Sequence, residues 1–248
     1  MSFCDIVIPH YKNELGLKQC LASIEACTNR YGVFPVTTIV VYAVREDTGR
    51  RMNFAETVNA GIKKGNSEYV CILNDDVIVS DHWLRELMKS VIHDKTIGAV
   101  GPLSNCDKGW LHNHDIKIGG VDLLPGSNTV EQITPIIPQI YDYASPYHEV
   151  IERDWIAMYC TLIPREVINK VGLLDEKFEN SGEDVEWCHR ARKAGYKIVQ
   201  DYNSFVFHYG AVSRKQLEAE DYQAYHDADK RTTEYLRQFG SSSAVVLQ

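Results

Sequence analysis

Tyr69-Val70-Cys71-Ile72-Leu73-Asn74-Asp75-Asp76 is the stretch on which the reading of this 248-residue chain turns. Its first five residues are apolar, β-branched or aromatic, and the run is too short for a helix, so they predict a buried strand. The closing pair of carboxylates stands at the carboxyl end of that strand, where open α/β sheets place their ligands. Adjacent carboxylates repel unless positive charge neutralises them. A hard divalent cation is one solution, and Mg²⁺ is commonly held by one or two carboxylates plus substrate phosphates. Asn-Asp-Asp is also good turn chemistry. The triplet alone leaves a metal–diphosphate site and a solvated turn both standing.

Working outward, Cys4 to Ile8 predicts a first strand, and Leu17, Cys20, Leu21 and Ile24 mark a helix by their i, i+3, i+4, i+7 spacing. Thr37 to Tyr42 predicts a second strand. Phe54 to Lys64 predicts a helix with Phe54, Val58 and Ile62 stacked on one face and Gly65 ending it. Beyond the triplet, Ser80 is expected to cap a helix that buries Trp83, Leu84, Leu87, Met88 and Val91. Ile97 to Val100 predicts a strand ended by Gly101-Pro102. This alternation implies an α/β fold with a mostly parallel central sheet flanked by helices.

From Leu103 to Val150 the periodicity fails. Pro125, Pro135, Pro138, Pro146 and Gly119-Gly120 predict a long irregular region or a set of short strands, and long loops inside domains tend to be functional. Trp155 to Ile163 predicts a strand, Pro164 opens a helix through Val167 and Val171, and Gly182-Glu183-Asp184 begins another that Gly195 ends. Tyr196 to Gln200 and Phe205 to Phe207 predict two more strands. After Gly210, Leu217, Tyr222, Tyr225 and Leu236 are spaced as in an amphipathic helix, and the tail from Ser241 reads as flexible.

Composition narrows the function classes. A hydrophobic content of 44% with 24% charged residues is that of a soluble globular protein. The net charge of −8 argues against a general nucleic-acid binder, which needs a basic face. Seven cysteines without a Cys-x-x-Cys pair fit reduced thiols in a cytoplasmic compartment, Cys71 and Cys160 as core residues. Asp5 and Pro9 interrupt the first apolar run, which predicts no secretory leader. Val33 to Val44, interrupted by threonines, falls short of a membrane span, so no transmembrane segment is expected and peripheral membrane contact stays open. Neither a G-x-G-x-x-G nor a G-x-x-x-x-G-K-S/T pattern occurs, which sets aside dinucleotide enzymes and P-loop NTPases.

A second acidic cluster, Glu183-Asp184, falls in the first turn of its helix. There the macrodipole favours negative charge, and Ser181-x-x-Asp184 resembles a cap. Read functionally, one carboxylate is a general base for a sugar hydroxyl, its pKa lowered by the helix terminus. His208 at a strand end is a candidate to complete a metal shell with Asp76. His112-x-His114-Asp115 is a competing metal candidate in the irregular region, without a cysteine partner.

In the order of these pieces the chain resembles the family 2 glycosyltransferases, the inverting GT-A type. Asp5-Ile6-Val7-Ile8-Pro9-His10-Tyr11-Lys12-Asn13 is similar to the family's opening strand and loop. Asn53 to Ile62 resembles the helix before its acidic motif, and Glu68 to Val77 the D-x-D strand in an Asn-Asp-Asp form. Trp155 to Phe178 resembles the acceptor-side segment, Gly182-Glu183-Asp184 through Gly195-Tyr196 the Glu-Asp helix, and His208-Tyr209-Gly210-Ala211-Val212-Ser213 the closing segment.

The resemblance implies a GT-A domain over 1–213, with a nucleotide-sugar half (1–102) and an acceptor half (103–213), followed by a C-terminal helix and tail (214–248). It implies Mn²⁺ or Mg²⁺ held by Asp76 and His208, with Asp75 reaching the ribose or the metal's water shell. Asp184 is then the catalytic base and Glu183 its support. Pro9 and Tyr11 flank the nucleotide base, with Asn53 a further base or ribose contact. The implied donor is a nucleotide diphosphate sugar, a UDP-sugar before a dTDP-sugar, and the implied acceptor a glycan or glycolipid. Where the family often carries an acid after strand two, this chain has Val41-Tyr42-Ala43-Val44. The alternative is a non-catalytic nucleotide-sugar or glycan-binding module on the same fold, which need not keep all of Asp75, Asp76, Asp184 and His208.

Overall fold

The computed structural model describes residues 2–28, 35–106, 116–123, 126–179, 181–210 and 222–237. In chain order these form β1 (Cys4–His10), α1 (Glu14–Thr28), β2 (Val36–Tyr42), α2 (Phe54–Lys64), β3 (Tyr69–Leu73), β4 (Val77–Val79), α3 (Trp83–His93) and β5 (Ile97–Ser104). Next come a small hairpin of β6 (Lys117–Ile118) and β7 (Val121–Asp122), then α4 (Val130–Ile133), a 3₁₀ turn and α5 (Ile137–Tyr141). The remainder is β8 (Val150–Arg153), β9 (Cys160–Pro164), α6 (Arg165–Val171), α7 (Glu183–Lys193), β10 (Lys197–His208) and α8 (Tyr222–Arg237).

The main sheet has the order β2-β1-β3-β9-β5-β10-β4, with β8 also on β10. Strands β2, β1, β3, β5 and β10 run one way and β9, β4 and β8 the other, so the sheet is mixed but mostly parallel. Strand alternation sorts the core into two layers. Cys4, Ile6 and Ile8 of β1 and Tyr69, Cys71 and Leu73 of β3 face α1 and α3. Val7, Val70 and Ile72 face α2, α6 and α7. A third cluster sits Ile133, Ile136 and Ile140 of the irregular region on Phe205 and Phe207 of β10. Cys71 and Cys160 lie in the core, and all seven cysteines are free thiols. Among the described residues no helix is long and apolar enough to cross a membrane.

Several local expectations need correction. Ser80 does not cap α3. Its hydroxyl donates to the Phe205 carbonyl at 2.7 Å, because Ser80 closes β4, a strand too short to announce itself. The cap position belongs to His82, in the left-handed region. Gly101-Pro102 does not end β5. The β9 side of that strand pairs only at Val100, and a proline N without hydrogen is tolerated where a ladder has opened.

Trp155–Tyr159 is irregular, and β9 starts at Cys160, because the Tyr159 carbonyl turns aside to accept the Asn74 N–H at 2.8 Å. The two expected strands after Gly195 are one strand, β10, with a register shift between Asp201 and Phe205. His112, His114 and Asp115, Ala211 to Ser213 and the tail from Ser241 lie outside the described residues.

The base of the sheet is tied by Asp5. Its carboxylate accepts from Ser67 N at 2.8 Å, Ser67 Oγ at 2.6 Å and Arg165 Nη2 at 2.8 Å, and Arg165 Nη1 donates to the Ile62 carbonyl at 3.2 Å. One ion pair so joins β1, α2 and α6. Asp5→Ala strands a largely buried guanidinium and a backbone N–H. We expect a loss of about 3 kcal/mol in urea unfolding; a change within about 0.5 kcal/mol, as at ordinary surface positions, would show the network to be dispensable.

Candidate active site

The acidic triplet follows β3 directly, and its backbone is fixed before any side chain is considered. Asn74 N donates to the Tyr159 carbonyl, and Val77 N to the Asn74 carbonyl at 3.3 Å, closing a tight turn into β4. Strand β4 then pairs antiparallel with the end of β10, opposing His208 to Val77, and Tyr209 N donates to the Asp76 carbonyl at 3.0 Å. Two segments far apart in sequence thus deliver Asp76 and His208 to one point at the carboxyl edge of the sheet. Asn105, just past β5, grips the backbone of His208 from both sides. Its Oδ1 accepts from His208 N at 2.8 Å and its Nδ2 donates to the His208 carbonyl at 3.0 Å. The Tyr159 ring stacks on the imidazole at 4.7 Å.

Each carboxylate of the pair is treated differently. Asp75 is enclosed: His10 Nδ1 lies 2.7 Å from its Oδ2 and Asn13 Nδ2 donates to its Oδ1 at 3.2 Å. The far side of the His10 ring meets Glu14 Oε1 at 3.1 Å. Burial, and then the neighbouring Asp76, push the Asp75 carboxyl up to about 6 against the opposing pull of Asn13 and His10. Asp76 instead faces His208, whose Nε2 is 3.0 Å from its Oδ1. The two atoms are at ion-pair distance, and among the described residues neither imidazole nitrogen has a hydrogen-bond partner of good alignment. Burial opposes a charge on His208, but the Asp76 carboxylate outweighs it and raises the imidazole to about 10. In the ligand-free chain His208 therefore supplies the positive charge that the acidic pair requires.

That geometry fits a divalent cation. A buried imidazole and a carboxylate lie 3.0 Å apart at the sheet edge, a donor pair that a cation could share. No group of three or more His, Cys, Asp or Glu side chains among the described residues makes a full cage. The donor set suits an ion whose shell is completed by substrate oxygens and water, the habit of Mg²⁺. With both oxygens of Asp75 engaged by His10 and Asn13, Asp76 and His208 are the converging pair, and Asp75 stands behind them.

Around this pair opens a cavity of about 160 Å³. Pro9, Tyr11, Asn53, Asp75, Asp76 and His208, all singled out from the sequence, line it together. Lys12, in the left-handed region at φ 50°, turns the chain between Tyr11 in the cavity wall and Asn13 on Asp75. Asn53 is committed to structure at both ends of its amide, capping α2 through Glu56 N at 2.8 Å and donating to the Glu176 carbonyl at 2.8 Å. The wall also contains Arg51, which the sequence reading passed over, and His10 and Asn74, which it quoted without a role; among the described residues the Asn74 Oδ1 is buried without a hydrogen-bond partner.

Glu183 and Asp184 do not line that cavity. They open α7 after Gly182, whose φ of 99° is a left-handed turn suited to glycine. Ser181 does not cap the helix; its hydroxyl donates to Asp229 of α8 at 3.3 Å. Asp184 Oδ1 accepts from Val185 N at 2.8 Å, and the Met158 backbone N–H also donates to the carboxylate. Met158 precedes Tyr159, so the turn that holds Asp184 also carries the carbonyl that fixes Asn74 and the ring that covers His208. The helix terminus does not lower these carboxyls. Burial dominates and raises both Asp184 and Glu183, the latter further through the charge of Asp184. Asp184 nonetheless keeps a partly exposed edge.

Comparison with known proteins agrees with this geometry. Residues 43–153 match the model of the family described as glycosyl transferase family 2. The chain is 25% identical over 231 residues, 85% of its length, to the O-antigen biosynthesis protein RfbC of Myxococcus xanthus, of which the match spans 17%. It is 26% identical over 199 residues, 75% of its length, to the low-salt glycan biosynthesis hexosyltransferase Agl10 of Haloferax volcanii, of which the match spans 57%. The chain thus spans less than two thirds of either relative. In structure it is similar to GalNAc-T7, solved with UDP, GalNAc and Mn²⁺. The TM-score is 0.60 at 18% identity, over 84% of this chain and 44% of that one, and the likeness establishes the GT-A fold. The family match covers the acidic triplet with β3, β4 and β5, and over residues 43–153 the chain is similar to glycosyl transferase family 2.

Proposed function

We propose that the protein is a metal-dependent inverting glycosyltransferase that moves a sugar from a nucleoside diphosphate sugar to a hydroxyl of a glycan or glycolipid. The observation that carries this reading is the buried His208 imidazole 3.0 Å from the Asp76 carboxylate, in a cavity that also presents Tyr11. UDP is the first donor class and dTDP the second, a choice that the UDP and Mn²⁺ of the structurally similar GalNAc-T7 supports. The glycan-assembly names of RfbC and Agl10 support the acceptor class. In this reading residues 1–102 form the nucleotide-sugar half, 103–213 the acceptor half, and 214–248 an accessory C-terminal segment.

Asp76 and His208 would hold Mn²⁺ or Mg²⁺, which supplies positive charge to the departing diphosphate. Asp75, clamped by His10 and Asn13, faces the donor from behind this pair, and Pro9 and Tyr11 flank its base. Asp184 takes the proton of the acceptor hydroxyl as that oxygen attacks the anomeric carbon in line and the C–O bond to the diphosphate breaks. Its raised pKa makes it a stronger base than a free aspartate, and Glu183 beside it keeps the local charge low by holding its own proton. Inversion follows from the single displacement.

Two outcomes test the assignment. Asp76→Ala should weaken calorimetric binding of UDP in Mn²⁺ by at least about tenfold, the scale on which metal-site substitutions act; unchanged affinity would remove Asp76 from the site. Asp184→Asn should leave that affinity within about twofold while lowering kcat on the order of a hundredfold, as expected for a lost general base. Near-normal turnover would make Asp184 a structural group.

The sign of the pH dependence follows from burial. Asp184 must be ionised to accept a proton, so kcat falls as pH drops through its raised pKa. The acid limb should therefore stand well above the ordinary aspartate value of about 4. A limb at about 4 would contradict Asp184 as the base.

A further inference from the structure

We infer that Arg51 is the second jaw of a slot for the donor's nucleobase, closing over the base from the side opposite Tyr11. This deepens the donor-site reading above and rests on it. Residues 43–52 form a ribbon that leaves β2 and returns to α2. It is stapled by Met52 N to the Ala43 carbonyl at 2.8 Å, Arg45 N to the Arg50 carbonyl at 2.9 Å, and an antiparallel bridge between Val44 and Arg51.

Three arginines lie on this ribbon, and their fates differ. Arg45 pairs with Asp47 at 3.1 Å, and Arg50 makes a two-point bond to Glu56 at 2.6 and 3.1 Å. Arg51 has no carboxylate partner among the described residues. It lines the cavity instead, its guanidinium carbon 5.9 Å from the centre of the Tyr11 ring. Lys12 also approaches that ring, at 5.1 Å, but is not part of the cavity wall.

The distance identifies what the pair can hold. Planar groups stack at about 3.4 Å, the spacing of successive bases, so a base between two planes needs about 7 Å. The present 5.9 Å separation is too tight by roughly 1 Å, an opening that the long, exposed Arg51 side chain reaches by rotamer change while its backbone stays bridged. Guanidinium is planar and weakly hydrated, and it stacks on aromatic faces where ammonium acts only as a point charge. Asp75 is held by His10 and Asn13 and Asp76 is paired with His208, and Arg51 forms no ion pair with either among the described residues. The slot grips a nucleobase by its faces and leaves the diphosphate to the Asp76–His208 end.

The test separates base from phosphate. Calorimetry in Mn²⁺ compares inorganic pyrophosphate with the tightest-binding of UDP, GDP, CDP and dTDP, using the wild-type chain, Arg51→Ala, Arg51→Lys, Tyr11→Ala and Tyr11→Ala/Arg51→Ala. The slot predicts that Arg51→Ala weakens the nucleotide roughly tenfold, on the scale of one lost stacking partner, and leaves pyrophosphate within about twofold. Arg51→Lys should resemble Arg51→Ala, since the charge remains and the plane is gone, and the double variant should be little worse than Tyr11→Ala alone.

Equal losses for nucleotide and pyrophosphate, rescued by lysine, would overturn the slot and make Arg51 a phosphate contact. A wild-type chain that binds pyrophosphate but no nucleotide more tightly would overturn the slot while leaving the metal–diphosphate site intact. Binding of neither would overturn the donor-site reading beneath it.

Discussion

Asp75 and Asp76 are consecutive, both almost wholly buried, and both carboxylates, and much of the surrounding structure can be understood as the means of keeping them so. Like charges at this range in a poorly solvated site cannot both ionise without support. The chain meets the demand asymmetrically. Asp75 is surrounded by donors from the first loop, His10 and Asn13, while Asp76 is set against a histidine from the last strand. The first arrangement is closed. The second rests on a single ion pair, and the charge that His208 carries is one that a metal ion can replace.

The fold explains how such an arrangement is reached from sequence positions 10, 76 and 208. Parallel pairing of β1 with β3 sets the loop after His10 beside the triplet. The short antiparallel pairing of β4 with β10 brings in His208, and Asn105 at the end of β5 locks its backbone. The irregular segment before β9 then joins the two acidic clusters. Met158 donates to Asp184, the Tyr159 carbonyl receives Asn74, and the Tyr159 ring covers His208. One turn thus contacts both Asp184 and the Asn74–His208 end of the cavity.

The legible parts of the sequence were those whose physics is local. Helix α2 was bounded correctly because Phe54, Val58 and Ile62 repeat at helical spacing before a glycine, and β3 because five apolar residues end in acids. Asp76 and His208 could be named because acids and histidines at strand ends are uncommon enough to notice. What escaped was non-local. Three-residue β4 gives no periodic signal, so Ser80 was mistaken for a cap. Trp155 to Tyr159 looks like strand by composition, and only the tertiary bond to Asn74 shows why it is not. Asp184 was expected to be acidified by its helix, since the dipole is visible in sequence while burial is not. The roles of His10, Asn74 and Asn105 are not legible because polar residues at strand ends and in loops are common and only contact reveals their partners.

The Asp76–His208 end of the cavity is proposed to take a cation and a diphosphate together. Thermal melting of the full chain with Mn²⁺ alone, with nucleoside diphosphate alone, with both, and with both plus EDTA tests it most directly. A rise in melting temperature with both that exceeds the sum of the separate effects and disappears with EDTA is the predicted result, because a ligand that binds only the folded chain stabilises it by mass action. A nucleotide-induced rise that is the same with Mn²⁺ or EDTA would contradict it.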